Sequence, residues 1–249
     1  MELKHEEALD EGDSGVVFAN PLEVFTWSDE IHLQERYING LGRPISILEA
    51  GCGNHWDLCI AKPYTLTGLD VDEVALKIRA QKHGDLDRII VGDVCSAQLD
   101  AGQFDVIYCS YVLEHVKGAT KALDNFVRWL RPGGILVVRV PDRNSVYGAM
   151  TRLTPHWVHV LFYRYLLGYK NAGRPGYGPY PTYHEPVISQ EGMRAFCGSR
   201  DLVLKELVMV DSGFRRNLVV WALTMGVWLL SLGHLSWRHN NLCIVVRKS

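Results

Sequence analysis

The sequence lacks an excess of charge of either sign. Its 26 Lys and Arg stand against 28 Asp and Glu, a formal net charge of −2. No global basic field therefore exists to concentrate nucleic acid or an anionic surface, and any such affinity must be local. No secretory leader is expected either: MELKHEEALDEGD is acidic and polar, the opposite of a basic stretch followed by an apolar one. A cytoplasmic protein is the expectation. The six cysteines, Cys52, Cys59, Cys95, Cys109, Cys197 and Cys243, form no C-x-x-C pair and no Cys/His group at zinc spacing. A zinc site is excluded on that pattern, no metal is expected, and buried reduced thiols are the natural reading. There is no internal repeat, no charge run and no ladder of basic and aromatic residues of the RNA-binding kind, which argues against a nucleic acid substrate.

What is present is a chain of 249 residues, 47% hydrophobic, enough to bury one sizeable core. From Ile45 to Val140 short apolar runs alternate with longer amphipathic ones, the mark of βα units on a parallel sheet. ISILEA, TLTGLD, RIIVGD, FDVIYCS and GILVVRV read as strands. DEVALKIRAQK and TKALDNFVRWL read as helices, the second with Leu123, Phe126, Val127 and Leu130 on one face. Ser28 is placed to cap an earlier helix through about Asn39, ended by Gly40 and Gly42. Residues 141–188 are rich in Tyr, Trp, His, Gly and Pro, and the loop GYKNAGRPGYGPYPTYHEP has the length and composition of a lid or binding loop. Ser189 then caps a short helix, and LVLKELVMV and NLCIVVRK supply two last strands. The expected organisation is a helical segment at 1–44, a core at 45–140, an aromatic cap at 141–188, and the rest of the core at 189–249 with an apolar helical insertion at 214–238.

Three acidic strand ends carry the chemistry. In ILEAGCGNH a strand ends near Glu49, and Gly51 and Gly53 let the backbone turn tightly and approach a ligand. GLD ends in Asp70 and VGDV holds Asp93; a carboxylate at such a place accepts hydrogen bonds from both hydroxyls of a ribose. Taken singly, each has a blander reading: a tight turn for the glycines, helix N-caps for the aspartates. A dinucleotide site also wants a glycine loop and a later acid, but the third glycine of G-x-G-x-x-G falls here at Trp56, against a pyrophosphate at that spot.

Glu49–Gly53 (EAGCG), Gly68–Asp72 (GLDVD), Gly92–Val94 (GDV), Phe104–Val116 (FDVIYCSYVLEHV) and Leu130–Val138 (LRPGGILVV), in this order and spacing, resemble the class I S-adenosylmethionine-dependent methyltransferases of the small-molecule, type 11 kind. The resemblance implies a Rossmann-like doubly wound sheet of seven strands, mostly parallel with the last antiparallel, and S-adenosyl-L-methionine as cofactor with S-adenosyl-L-homocysteine as product. It implies that Glu49, Gly51 and Gly53 meet the methionyl part and that Asp70, with Val71 beside it, holds the ribose. Asp93 and Val94 would contact the adenine, with Ser110, Tyr111 and His115 lining the pocket. One departure stands out: a third glycine common in the family's loop is His55 here, within the bulky Asn54-His55-Trp56.

Methyl transfer needs a nucleophile set against the methyl group, so positioning and desolvation carry much of the rate. For a hydroxyl acceptor a histidine base is the usual instrument near neutral pH. His184, next to Tyr183 in the loop, is the first candidate and His156 the second; His156 and His159 share a helical face, and a surface or capping role is the competing reading for each. Trp157, Tyr163 and Tyr183 suit a flat or apolar acceptor. The expected activity is methylation of a lipophilic small molecule or lipid-linked acceptor, at oxygen. Two alternatives keep other outcomes open: a cofactor-binding protein that catalyses a cyclisation without transfer, and a non-catalytic module attached to a membrane.

LVVWALTMGVWLLSLGHL, Leu218–Leu235, holds no formal charge. At 18 residues it is short for a span, which needs about 20, and crossing would separate the last two strands. Asn217, Thr224, Ser231 and Arg238 recur every seven residues as a narrow polar line. Two readings remain: a core or homodimer-interface helix, and a helix lying in a membrane surface. Arg215 and Arg216 before it, and Trp221, Trp228 and Trp237 along it, fit the second.

Overall fold

The computed structural model describes residues 24–249 apart from 54, 212 and 214–217. The expectations placed on Asn54, Arg215, Arg216, Asn217 and the acidic N-terminal stretch lie outside the described residues.

A short strand β1 (Val24–Thr26) leads into helix α1 (Trp27–Asn39). The core follows as β2 (Ile45–Ala50), β3 (Tyr64–Asp70), α2 (Glu73–Lys82), β4 (Arg88–Val91), β5 (Phe104–Ser110), α3 (Ala119–Trp129) and β6 (Leu130–Pro141). Beyond it come α4 (Val146–Leu153), α5 (His156–Leu161), α6 (Gln190–Gly198), β7 (Leu202–Asp211), α7 (Leu218–Leu230) and β8 (Asn241–Lys248). The strands form one eight-stranded sheet in the order β1-β7-β8-β6-β5-β2-β3-β4. Every pairing is parallel except those of β8, antiparallel to both β6 and β7. The doubly wound, mostly parallel sheet with an antiparallel last strand is as expected. The eighth strand is β1, three residues long and too short to show in a hydropathy pattern.

The helix start corrects one reading. Thr26, not Ser28, caps α1: its hydroxyl accepts from the Asp29 N–H while the Asp29 carboxylate accepts from the Thr26 N–H, a capping box that competes well with a lone serine two residues on. Asp72 caps α2 and Ser189 caps α6. The apolar face of α3 packs on the sheet, with Leu123, Phe126 and Trp129 fully buried among Leu48, Ile107, Leu136 and Val138. Expectation and structure part again at the thiols: Cys52, Cys109, Cys197 and Cys243 are buried, but Cys59 is exposed and Cys95 only partly covered.

Topology decides where function sits. β2 is flanked by β3 on one side and β5 on the other, so the chain reverses direction there, and the carboxyl ends of β2 to β6 share one edge. Asn241, the start of β8, pairs with Pro141 and Val210 at that same edge. The cap after β6 and the α7 insertion between β7 and β8 therefore both rise from the edge where a doubly wound sheet binds its ligands. His239 fixes the insertion's return, with Nε2 2.7 Å from Asp142 Oδ2 and Nδ1 2.9 Å from Ser236 Oγ.

Helix α7 settles part of the question raised by the apolar run. No residue of it is buried, and Leu218, Val219, Trp221, Leu223, Leu229 and Leu230 are exposed. It is not a core helix of this chain. Among the described residues no helix is long and apolar enough to cross a membrane. The Thr224 and Ser231 hydroxyls turn back to donate to the carbonyls of Val220 and Trp228, which satisfies them without an outside partner.

Candidate active site

The two glycines after β2 do different jobs. Gly51 has φ +74°, and a Cβ there would lie 2.1 Å from Val112 Cγ2, so it makes room for the segment after β5. Gly53 has φ +52° with nothing within 4 Å of where its Cβ would stand. Beside that open space, Asp70 at the end of β3 accepts the Gly53 N–H on Oδ2 and the Asp72 N–H on Oδ1, both at 2.8 Å. Each oxygen keeps a further lone pair for a ligand donor. Burial pushes the Asp70 carboxyl up, and the two N–H groups oppose that. Val71 and Asp93 are exposed along the same edge, Asp93 Oδ1 accepting the Cys95 N–H, while Val94 is buried in the core.

Glu49 is engaged with α2. It is buried, with Oε2 2.7 Å from Arg79 Nη1, an ion pair out of hydrogen-bond alignment. Arg79 is 0% exposed; it also pairs with Asp85 and donates to the carbonyls of Cys52 and His55, so α2 holds the glycine loop from beneath. Burial raises the Glu49 carboxyl to about 8 against the pull of Arg79. The bulky pair at the missing glycine splits: His55 is exposed and meets Asp57 at 3.0 Å, and Trp56 packs edge-on to Tyr108 at 5.4 Å.

Over β5, β6 and β8 lies a cavity of about 590 Å³. Tyr111, Glu114 and His115 come from the turn after β5; Tyr147, Thr151, Tyr163 and His184 come from the cap; Val220, Leu223 and Thr224 come from α7. Trp27 lies parallel to Tyr111 with centroids 6.5 Å apart. The Arg139 guanidinium sits 4.1 Å from the Trp27 ring centre and is bound to Glu30 through two hydrogen bonds and to Tyr108 and Ser110 by Nη1. The Ser110 hydroxyl is thus engaged beneath the site, between β5 and β6.

The aromatic loop, with the length and composition of a lid or binding loop, is fastened along its length. The Tyr180 hydroxyl and the Gly176 N–H donate to Asp72 Oδ2, His115 Nδ1–H to Pro181 O at 2.9 Å, and the Tyr183 N–H to Glu114 O at 2.6 Å. Both oxygens of Glu185 accept the first N–H groups of α3, from Gly118 and Ala119. The loop therefore runs from the Asp70–Asp72 crevice to the cavity and roofs the ground between them. His184, 2% exposed, lines the cavity with φ +46°. Thr151 spends its hydroxyl proton on Gly148 O, so His184 Nε2–H donates to Thr151 Oγ1 and Nδ1 is left as an unpartnered acceptor. Burial holds its pKa down at about 4. Tyr163 also lines the cavity, its hydroxyl 3.2 Å from that of Tyr147. His156 does not line it, and neither do Trp157, 63% exposed, or Tyr183, whose ring is capped by Lys117.

A family profile described as a methyltransferase domain matches residues 48–138, from the middle of β2 through most of β6. Over that stretch the chain is similar to methyltransferase domains. A Mycolicibacterium smegmatis relative named "Probable S-adenosylmethionine-dependent methyltransferase" is 31% identical over 39% of this chain and 38% of its own. A ubiquinone biosynthesis O-methyltransferase of Thiobacillus denitrificans is 28% identical over 45% of this chain and 55% of its own. The match thus spans from over a third to about half the length of these relatives. Among solved structures, an S-adenosylmethionine-dependent methyltransferase from Mesorhizobium loti superposes with TM-score 0.56 at 14% identity, over 88% of this chain and 98% of that one. The [4+2]-cyclase SpnF does so with TM-score 0.53 at 15% identity, over 92% and 84%. At such identities these two share the fold.

The cofactor of such domains is S-adenosylmethionine, and residues of this chain fit it. The free space at Gly53 adjoins a carboxylate with unused lone pairs at Asp70, and the loop from Gly176 to Tyr180 closes over them from Asp72. Several residues of the site escaped the sequence reading, and two had left a signal. Arg79 occupies the apolar face of α2 beside Ala75 and Leu76, and Arg139 interrupts an otherwise apolar strand buried on both faces; a charge in such a place is held by partners. Glu114, Tyr147 and Thr151 left none, because only the folded cap brings them to one cavity.

Proposed function

We propose that this protein transfers a methyl group from S-adenosylmethionine to a hydroxyl of a lipophilic small molecule or lipid-linked acceptor, taken up at the face of a membrane. The observation that carries the reading is the aromatic and apolar cavity, whose lining runs through Tyr180, hydrogen-bonded to Asp72, and through the turn after β5, where Val112 lies against Gly51. When bound, the cofactor supplies an electrophilic methyl on a sulfonium; the acceptor oxygen forms the new O–C bond as C–S breaks, the bonding pair leaves on sulfur, and the hydroxyl proton must go to a base. Gly53 and Asp70 hold the cofactor, with Asp93 at the adenine end and Asp72 tying down the roof. The cavity wall excludes water and presents the acceptor. His184 orients the hydroxyl through the bare Nδ1.

Charge supports the membrane part. Between Arg143 and His184, and again between residues 212 and 240, there is no Asp or Glu, whereas Arg143, Arg152, Arg164, Lys170, Arg174, Arg215, Arg216 and Arg238 fall there. A chain of net charge −2 thus concentrates positive charge in these two stretches of its sequence. The same stretches expose large apolar side chains: Leu153 and Trp157 near Arg152, Tyr165, and Leu229 and Leu230 on α7. Trp157, outside the cavity, suits the headgroup zone instead. Free cysteines fit a reducing, cytoplasmic side. A homodimer through α7 is the competing use of the same surface.

The test gives methyl-labelled cofactor and a lipid-soluble cell extract to the full chain. Label in the organic phase, matched one for one by S-adenosylhomocysteine, is the expected result; product without S-adenosylhomocysteine turns the reading to a rearrangement, the SpnF-like alternative. Flotation with anionic vesicles tests the surface: protein that stays in the soluble fraction with and without anionic lipid removes the membrane from the proposal.

A further inference from the structure

The cavity is apolar apart from a few residues, and three of these carry a buried polar atom with no partner among the described residues. Glu114 Oε2, Tyr111 Oη and His184 Nδ1 are each buried and make no hydrogen bond with the described residues, yet all three residues line the one cavity. Buried polar atoms are normally satisfied, and each one left bare is costly. Three such residues on the wall of one space of ligand size point to a ligand that brings its own polar group. Glu114 is the only carboxylate on that wall among the described residues. Its position is fixed from both sides: it sits in a helical turn just after β5, and its carbonyl accepts the N–H groups of Tyr183 and His184.

We propose that Glu114 is the catalytic base, taking the proton of the acceptor hydroxyl as the methyl group is transferred. This assignment rests on the methyl-transfer reading above and replaces histidine in that role. As the O–C bond forms, the O–H pair stays on oxygen and the proton passes to Oε2, so the charge lost from the sulfonium is balanced by the carboxylate becoming neutral. The other titratable groups facing Glu114 are His115, with Nε2 3.8 Å from Oε1, together with Tyr111, Tyr147, Tyr163, His184 and the Cys109 thiol. None supplies a fixed positive charge. Burial accordingly pushes the Glu114 carboxyl up to about 8, and a cation bound in the adjoining crevice draws it down towards neutral. A base with a pKa near working pH is the effective kind, whereas His184, held at about 4, is a weak one.

The experiment uses the full chain, hexylcatechol as a probe acceptor and methyl-labelled cofactor, with Glu114→Gln and Glu114→Asp as variants. Calorimetry with S-adenosylhomocysteine and infrared titration of the carboxyl groups accompany the kinetics. The expected result is a wild-type kcat/KM that climbs with pH to a plateau, a loss of about 10²- to 10⁴-fold in kcat with a flat profile in Glu114→Gln, partial recovery in Glu114→Asp, and unchanged S-adenosylhomocysteine affinity in both. A Glu114→Gln enzyme that keeps its kcat within about threefold and still climbs with pH overturns the assignment. No transfer to hexylcatechol by the wild type counts against the acceptor reading and leaves Glu114 to the infrared titration. There, a carboxyl band that titrates above neutral pH, is missing in Glu114→Gln and shifts with hexylcatechol supports the assignment; no such band overturns it.

Discussion

Glu185→Gln tests how the roof loop is held. Glu185 ends the loop, and its carboxylate does what no local side chain does for α3: Gly118, the N-cap position, offers no side-chain acceptor. Oε1 lies 2.6 Å from the Gly118 nitrogen and Oε2 2.9 Å from that of Ala119. A glutamine presents one acceptor and turns an NH₂ towards the other N–H, so one bond is kept without its charge and the other becomes a donor–donor clash. A charged hydrogen bond contributes about 1.5–3 kcal/mol and a lost N-cap costs about 1 kcal/mol. Because Glu185 is only half-buried, a net loss of about 1–2 kcal/mol is the reasoned figure. For a domain of this size that lowers Tm by roughly 2–8 °C. Thermal unfolding followed by circular dichroism reads it directly, and added salt should barely mimic it, since the partners are backbone N–H groups. A Tm unchanged within about 1 °C would refute the capping argument and, with it, the anchored loop.

Further expectations follow from the same geometry. Asp70→Ala should lower S-adenosylhomocysteine affinity at least about tenfold in calorimetry; an unchanged affinity would place the cofactor elsewhere. Tyr180→Phe removes the hydroxyl bond to Asp72 and should make residues 168–184 cleave faster under limited proteolysis with little change in Tm; equal cleavage rates would mean that the bond holds nothing. Glu114, with its carboxyl at about 8 in the folded chain against 4.5 ordinarily, binds its proton more tightly when folded. The stability it contributes is complete below about pH 4.5 and is lost as pH rises to about 8, at up to ~1.4 kcal/mol per pH unit. Glu114→Gln should flatten the fall of Tm between about pH 5 and pH 8; a slope equal to that of the wild type would contradict the buried, protonated state.

The doubly wound core was legible because its signals are local and periodic. ISILEA, TLTGLD and FDVIYCS are strands over the residues that the hydropathy pattern marks, and α2 and α3 follow their apolar spacing. The cofactor edge was legible as an order of motifs, and Asp70 does sit at a strand end beside Gly53. The cavity was not. Its wall is drawn from the start of α1, the turn after β5, the cap and α7, and only the pairing of Asn241 with Pro141 and Val210 brings the last two together. Histidine was expected as base because its ordinary pKa suits the task, whereas burial, invisible in sequence, lowers His184 and raises Glu114. The opposed roles of Gly51 and Gly53 have the same origin, since Val112 lies against one and not the other.

The central claim is a division of labour: the cofactor over β2–β4, the acceptor over β5–β8, meeting at Tyr111–His115. Thr224→Trp, which fills the cavity from α7 and touches nothing at Asp70, separates the two. Titrating S-adenosylhomocysteine into this variant alongside the lipid-extract transfer assay should return an affinity within about twofold of the wild type and no labelled product. Lost S-adenosylhomocysteine affinity, or methyl transfer that continues with the cavity filled, would contradict it.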